Sequence, residues 1–282
     1  MLTKLDLMQF KKYGYIIKDI LTENEISTFL NKLQIIMDKW PNQTDMMNIQ
    51  FLQPSTCIKD IQSIIHHNKI MEACKYLLNG GEIILDGASL FYAKTCVSYM
   101  QGWHRDVIQI PDNEISESWY SKDHFHNNIQ INIPLIKDDC LWVVDCSHTR
   151  QFNAEELTIF KGSKKIAPVD GKVLQNGKRL ILKPGQAVFY NNLLIHRGYA
   201  PVLKKDRITI QLGYHSNITK PTYHFGVLNH NEYTSEYLKY LDYEVVEILN
   251  KHIQEKKRYP EISKYYNMHQ GFIKKEFNIN YN

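Results

Sequence analysis

From Gly81 onward the chain is a series of short apolar runs separated by turn signals, and no other feature restricts its fold as strongly. Ile83-Ile-Leu, Ser89 to Lys94, Ile129 to Ile136, Leu141-Trp-Val-Val, Arg179-Leu-Ile-Leu, Gln186 to Tyr190 and Arg207 to Tyr214 have the length and the β-branched or aromatic content of strands. Asp138-Asp139, Gly171, Asn176-Gly177 and Pro184-Gly185 punctuate them. No helix-length pattern lies between the runs, as parallel strands would need. The expected fold is mainly β with flanking helices, built on an antiparallel, cupin-like jelly-roll core.

Both flanks read as helical. Phe10-Lys-Lys-Tyr-Gly14 predicts a short helix and a turn, followed by a short strand at Tyr15-Ile-Ile-Lys. Thr22 and Glu25 form a capping box for a helix carrying Ile26, Phe29, Leu30, Leu33 and Ile36 to about Lys39. Another helix is predicted from Asn68 to Leu78, stopped by Asn79-Gly80-Gly81. Tyr237, Leu238, Leu241, Val245, Val246 and Leu249 give a helical stripe within 233–255. One domain over residues 1–282 is expected: a helical part at 1–81, the β core at 82–216 and a helical part at 217–282.

Composition removes several alternatives. With 43% hydrophobic and 23% charged residues in 282, the chain has the makeup of an ordinary globular protein. No run approaches the roughly 18–20 apolar residues of a membrane span, and the mixed charges of the first fifteen residues do not read as a secretory signal. A net charge of +4, from 34 basic and 30 acidic residues, gives no footing for nucleic acid. Five scattered cysteines with no CxxC pair argue against structural zinc and for a reducing, cytoplasmic setting.

Three side chains of the β region can share a metal ion. His104-Arg-Asp106 places a histidine and a carboxylate at alternate positions, which on a strand face the same way. His196 follows about ninety residues later and supplies a third ligand. Two histidines and one carboxylate on one face leave coordination positions open, the pattern of non-haem Fe(II) sites that activate oxygen. Arg207 and Thr209 share a strand face by the same alternation, and a guanidinium with a hydroxyl can clamp a carboxylate. Two rival sets are weaker: His124-x-His126 has no glutamate at a useful distance, and His230-x-Glu232 has no later strand-end histidine.

Asn128, Gln130 and Asn132 put three amides on one strand face, to meet a ligand or to face solvent. The segment from Pro111 to Asn127, with Trp119, Tyr120, His124, Phe125 and His126, is long enough to be a lid.

These motifs, in this order, resemble the phytanoyl-CoA dioxygenase-like Fe(II)/2-oxoglutarate oxygenases. The likeness runs through Phe10…Gly14-Tyr15, Tyr92-Ala-Lys94, Trp103-His104-Arg105-Asp106, Leu141 to His148, Lys183-Pro-Gly185, His196-Arg-Gly and Arg207-x-Thr209. Where that family usually has Pro-Gly-Ser-His, this chain has Asp145-Cys146-Ser147-His148. The preceding turn is also shortened, to Lys137-Asp-Asp-Cys140, a departure expected to touch no ligand. The resemblance implies a double-stranded β-helix in which His104, Asp106 and His196 hold Fe(II). It also implies that Arg207 and Thr209 bind the distal carboxylate of 2-oxoglutarate, with O2 as the second cosubstrate. Gln130 and Asn128 join them as expected cosubstrate contacts, and Lys94 is the fallback cation for the clamp.

The expected activity is that of a dioxygenase hydroxylating a small molecule. An anionic substrate is expected if Arg105, Arg150 and Arg197 gather at the pocket, and the plainer reading leaves all three in solvent. The alternative activity is a cupin-like metal protein with a non-redox isomerase, hydrolase or ligand-binding role.

Overall fold

A computed structural model describes residues 2–38, 47–107, 128–163, 166–218, 228 and 232–260. Helix α1 (Lys4–Tyr13) opens on a capping box in which the Asp6 N–H donates to Thr3 Oγ1 and the Thr3 N–H to Asp6 Oδ2, at 3.2 and 2.8 Å. It stops at Gly14, whose φ of 87° lies in the left-handed region and whose N–H returns to the Phe10 carbonyl. A Cβ there would also meet His148 Nδ1 and Leu194 Cδ1 at 2.6 Å, so glycine is required twice over.

After β1 (Tyr15–Asp19), the predicted capping box starts α2 (Glu23–Met37): the Thr22 N–H donates to Glu25 Oε2 at 2.7 Å. The next stretch is less helical than expected. It holds β2 (Met47–Gln50) and two 3-10 turns, Pro54–Thr56 and Lys59–His66, before α3 (Asn68–Leu77). Strand β2 is short and takes its pairing from the distant β3, so its own residues carry little signal.

The two runs predicted before Thr95 form one strand, β3 (Ile83–Ala93), bent by a register shift against Gly213/Tyr214. There follow β4 (Tyr99–Met100), β5 (Asn128–Pro134), β6 (Leu141–Val144), α4 (Ala154–Phe160), β7 (Gly177–Arg179), β8 (Gln186–Asn191), β9 (His196–Ala200) and β10 (Arg207–Ser216). Leu182, expected inside a strand, makes only an isolated bridge to Asp138. The C-terminal helical stripe divides into α5 (Ser235–Tyr240) and α6 (Tyr243–Arg258), because Leu241 turns extended at ψ 162°.

The strands form two antiparallel sheets, one ordered β1-β8-β5-β10-β3-β2 and the other β4-β9-β6-β7. This is the jelly-roll arrangement. On the larger sheet one face is apolar: Leu90, Tyr92, Ile129, Ile131, Ile133, Phe189, Ile208, Ile210, Leu212 and Tyr214 join the helical residues Phe10, Phe29, Leu33, Ile70, Leu77, Val245 and Leu249 in one buried cluster. Each such side chain contributes roughly 1.5–3 kcal/mol by leaving water. The alternation of period two turns Gln130, Asn132, Arg207, Thr209 and Gln211 to the other face, toward the smaller sheet. Helices therefore cover one side of the large sheet, and its polar side becomes the interior of the barrel. No described helix is long and apolar enough to cross a membrane.

Candidate metal centre

His104 and His196 are brought together by their own backbones. Each N–H donates to the other residue's carbonyl at 2.9 Å, which sets the two imidazoles side by side with centroids 4.3 Å apart. The H-x-D segment was expected on a regular strand, yet His104 pairs only as an isolated bridge. The flanking chain is drawn elsewhere: the Ala167 N–H donates to the Trp103 carbonyl at 2.7 Å and Trp103 Nε1–H to the Lys172 carbonyl at 3.0 Å. At Gly102 a Cβ would run into the Ala167 carbonyl, so this close crossing needs glycine. Asp106 is fixed next, its N–H donating to the Asn192 carbonyl at 2.9 Å.

Each histidine presents the same atom to the centre. Nδ1 of His104 lies 2.8 Å from the Gly102 carbonyl, and Nδ1 of His196 lies 2.9 Å from the Leu194 carbonyl. A carbonyl only accepts, so each Nδ1 carries the proton and each Nε2 offers a lone pair. Nε2 of His196 is 3.0 Å from Asp106 Oδ2, and Nε2 of His104 is 3.5 Å from Asp106 Oδ1. One ligating atom from each of the three residues falls within 4.8 Å of the others, and all three residues are buried. Burial and the adjacent His196 push His104 down to about 4, which keeps it in the neutral form a metal requires. For His196 burial also opposes the charge, but Asp106 more than offsets it and the shift is upward.

The carboxylate is oriented from the large sheet. Gln130 Nε2–H donates to Asp106 Oδ2, so Gln130 Oε1 must point the other way. It accepts from Tyr190 Oη at 3.2 Å and from Gln211 Nε2 at 3.0 Å. The Tyr190 ring also packs edge-on to His196, 5.1 Å between centroids.

Arg207 and Thr209 do share a face and do hold a carboxylate, but it belongs to Asp138. Arg207 Nε–H donates to Asp138 Oδ2 at 2.8 Å and Thr209 Oγ1–H to the same oxygen at 2.6 Å. The shortened turn 137–140 thus meets Arg207 and Thr209 through Asp138, and these bonds do not involve His104, Asp106 or His196. Sequence patterning missed Asp138, Gln211 and Tyr190. Asp138 read as a turn residue, and only the folded sheet brings it to Arg207.

The three amides of β5 have separate surroundings. Asn128 is at the far end, its Nδ2–H donating to Asp86 Oδ2 at 2.5 Å beside His215, so it is not gathered with the metal residues. Gln130 serves Asp106, and Asn132 Oδ1 is buried with no partner among the described residues. All three are buried, which removes the solvent-facing reading of this strand.

The three arginines considered for an anionic substrate have partners away from His104, Asp106 and His196 among the described residues. Arg105 is fully buried and donates to the Ser147, Leu193 and Arg150 carbonyls. Arg150 forms a two-pronged pair with Glu156 at 2.7 Å. Arg197 is buried among Trp103, Trp142 and Tyr199. Lys94 is half-buried, one residue beyond the end of β3. His148 lies under α1, with Nε2 3.3 Å from the Lys11 carbonyl. Trp119, Tyr120, His124, Phe125 and His126 lie outside the described residues, as does the lid candidate they belong to, and so does His230 of the other rival set.

No protein-family model matches the chain, and no curated protein matches it in sequence. Solved structures do match in fold. HygX from Streptomyces hygroscopicus, crystallised with nickel and 2-oxoglutarate, superposes with a TM-score of 0.61 at 13% identity, over 77% of this chain and 88% of its own. The non-heme alpha ketoglutarate dependent epimerase SnoN from nogalamycin biosynthesis gives 0.55 at 13% identity, over 76% and 82%. The carbocyclase SnoK from nogalamycin biosynthesis, also alpha ketoglutarate dependent, gives 0.53 at 15% identity, over 76% and 84%. At such identities the likeness carries the fold.

Proposed function

We propose that this chain is an Fe(II)- and 2-oxoglutarate-dependent oxygenase, of the phytanoyl-CoA dioxygenase-like kind, that hydroxylates a small molecule with release of succinate and CO2. The observation that carries this reading is the convergence of His104 Nε2, His196 Nε2 and an Asp106 oxygen within 4.8 Å, with both Nδ1 atoms already engaged by backbone carbonyls. Two imidazoles and one carboxylate suit Fe(II) and leave positions for exogenous ligands. Proteins of the same fold have been crystallised with iron, and with nickel and 2-oxoglutarate.

Bound there, Fe(II) would supply the oxygen chemistry, with 2-oxoglutarate spent as the two-electron co-reductant. The protein's part is placement. The Gly102 and Leu194 carbonyls set the two imidazoles, and Gln130 with Tyr190 and Gln211 behind it sets the Asp106 carboxylate. With a carboxylate at position 106 filling a ligand place, hydroxylation and not halogenation is the proposed outcome.

His196→Ala removes one of the three ligands while leaving the backbone pairing of β9 with β4 and β6 in place. Iron content after anaerobic loading should fall to background and succinate formation in air should be lost, with an unchanged circular dichroism spectrum. A folded variant that retains both iron and succinate production rejects the triad. Product analysis tests the reaction type: a chlorinated, epimerised or ring-closed product would replace hydroxylation.

A further inference from the structure

The turn from β8 to β9 turns consecutive carbonyls toward the metal residues and the arginine between two of them. That of Asn192 accepts the Asp106 N–H at 2.9 Å, that of Leu193 accepts from Arg105 Nη1–H, and that of Leu194 accepts from His196 Nδ1–H at 2.9 Å. Arg105 is fully buried, and its guanidinium reaches further. Nη1–H also meets the Ser147 carbonyl at 2.8 Å, and Nη2–H meets the Arg150 carbonyl at 2.9 Å. The guanidinium carbon lies 4.9 Å from the Phe152 ring centroid. The segment 104–106, the β8–β9 turn and the stretch after β6 therefore converge on one planar group. That stretch is tied to β9 as well, because Ser147 Oγ accepts the Ile195 N–H at 2.8 Å and donates to the Val144 carbonyl at 2.7 Å.

We propose that Arg105 is a positioning residue for the metal centre. By bridging the β8–β9 turn to the stretch after β6, it holds the Leu194 carbonyl at His196 and the Asn192 carbonyl at Asp106. This rests on the reading of His104, Asp106 and His196 as metal ligands. Arg105 acts on them through the backbone that carries them. A guanidinium presents its donors in a rigid planar fork, so bonds to carbonyls of separate segments fix where those segments stand relative to one another. A buried cation is costly without acceptors, so the guanidinium and its carbonyls hold each other in one arrangement. The Leu194 carbonyl in turn sets the tautomer and the ring orientation of His196, and a contact of that kind is worth about ten- to a hundred-fold in metal affinity.

The test is titration of the metal-free protein with Co(II), whose visible absorption reports both the affinity and the geometry of the donor set. Each variant is titrated at a temperature where circular dichroism shows it folded. Arg105→Met keeps an apolar stem of similar length and removes every donor. Its Kd for Co(II) should rise about ten- to a hundred-fold, and its visible band should change in position or intensity. Arg105→Lys can serve the carbonyls that Nη1 serves but not that of Arg150 as well, so its Kd should fall between those of Arg105→Met and wild type. Leu249→Ala, in the helical cluster on the apolar face of the large sheet, measures the effect of lost stability alone. Its denaturation midpoint should drop, while its Co(II) Kd stays within about two-fold of wild type and its spectrum is unchanged.

A folded Arg105→Met protein with the wild-type Co(II) Kd and spectrum overturns the proposal. So does an equal rise of Kd in Leu249→Ala, because the effect would then follow from stability alone. Should Arg105→Met fail to fold, Arg105→Lys decides on the same two readouts: a raised Kd with an altered band supports the brace, and wild-type values overturn it. Failure of the wild-type protein to bind either Co(II) or Fe(II) would instead reject the metal centre itself.

Discussion

Cys146 holds a backbone conformation that a side chain resists. Its φ is 63°, and its N–H donates to the Tyr13 carbonyl at 3.1 Å, tying the turn after β6 to the end of α1. For a residue with a Cβ this region costs about 1–2 kcal/mol, part of which glycine would give back as unfolded-state freedom. Cys146→Gly is therefore expected to stabilise the protein by about 0.5–1 kcal/mol, read as a shift in denaturation midpoint at constant slope. The resembled family usually has glycine here, so the strain belongs to this chain. At this scale the gathering of His104, Asp106 and His196 was legible from their residue types and order, although His104 sits in an isolated bridge and not on the regular strand expected. Asp138 was not: its role depends on Arg207, which reaches it only across the folded barrel.

Among the elements, helix α2 shows how a local signal becomes a measurable property. The Thr22 N–H and hydroxyl both donate to Glu25 Oε2 at 2.7 Å, and His67 Nε2 lies 3.0 Å from Oε1. These contacts, the backbone bond first, bring Glu25 from 4.5 down to about 2. A carboxyl depressed on folding stabilises fully above its unfolded value, and that stabilisation is lost as pH falls from 4.5 toward 2. Glu25→Gln should therefore be less stable than wild type at pH 6, with the gap closing by about pH 2 in denaturant titrations at each pH. The Thr22–Glu25 capping box and strands such as β5, β8 and β10 were readable because their determinants lie within a few residues. Strand β2 was missed because four residues paired to β3 carry no period of their own, and the single span of β3 was hidden by the register shift at Asp86.

At the scale of the molecule, the apolar and polar faces of one sheet divide the labour: helices pack on the first, and the second carries Gln130, which bonds to Asp106 of the candidate metal group. Local patterning foretold the two-sheet class but not the order β1-β8-β5-β10-β3-β2, since neighbours in that order are far apart in the chain. The edge position of β1 has a consequence in time. Tyr15 to Asp19 are synthesised first among the strands, yet they pair with Tyr190 to Gln186, near the end of the core. The first strand must wait, unpaired, until most of the protein exists. Closing so long a loop is entropically slow, so refolding should fall in the millisecond-to-second range or longer, to be read by stopped-flow fluorescence of the four tryptophans. A chain released before β8 would carry β1 as a bare template for other strands, and truncated translation products are expected to aggregate where the complete chain does not.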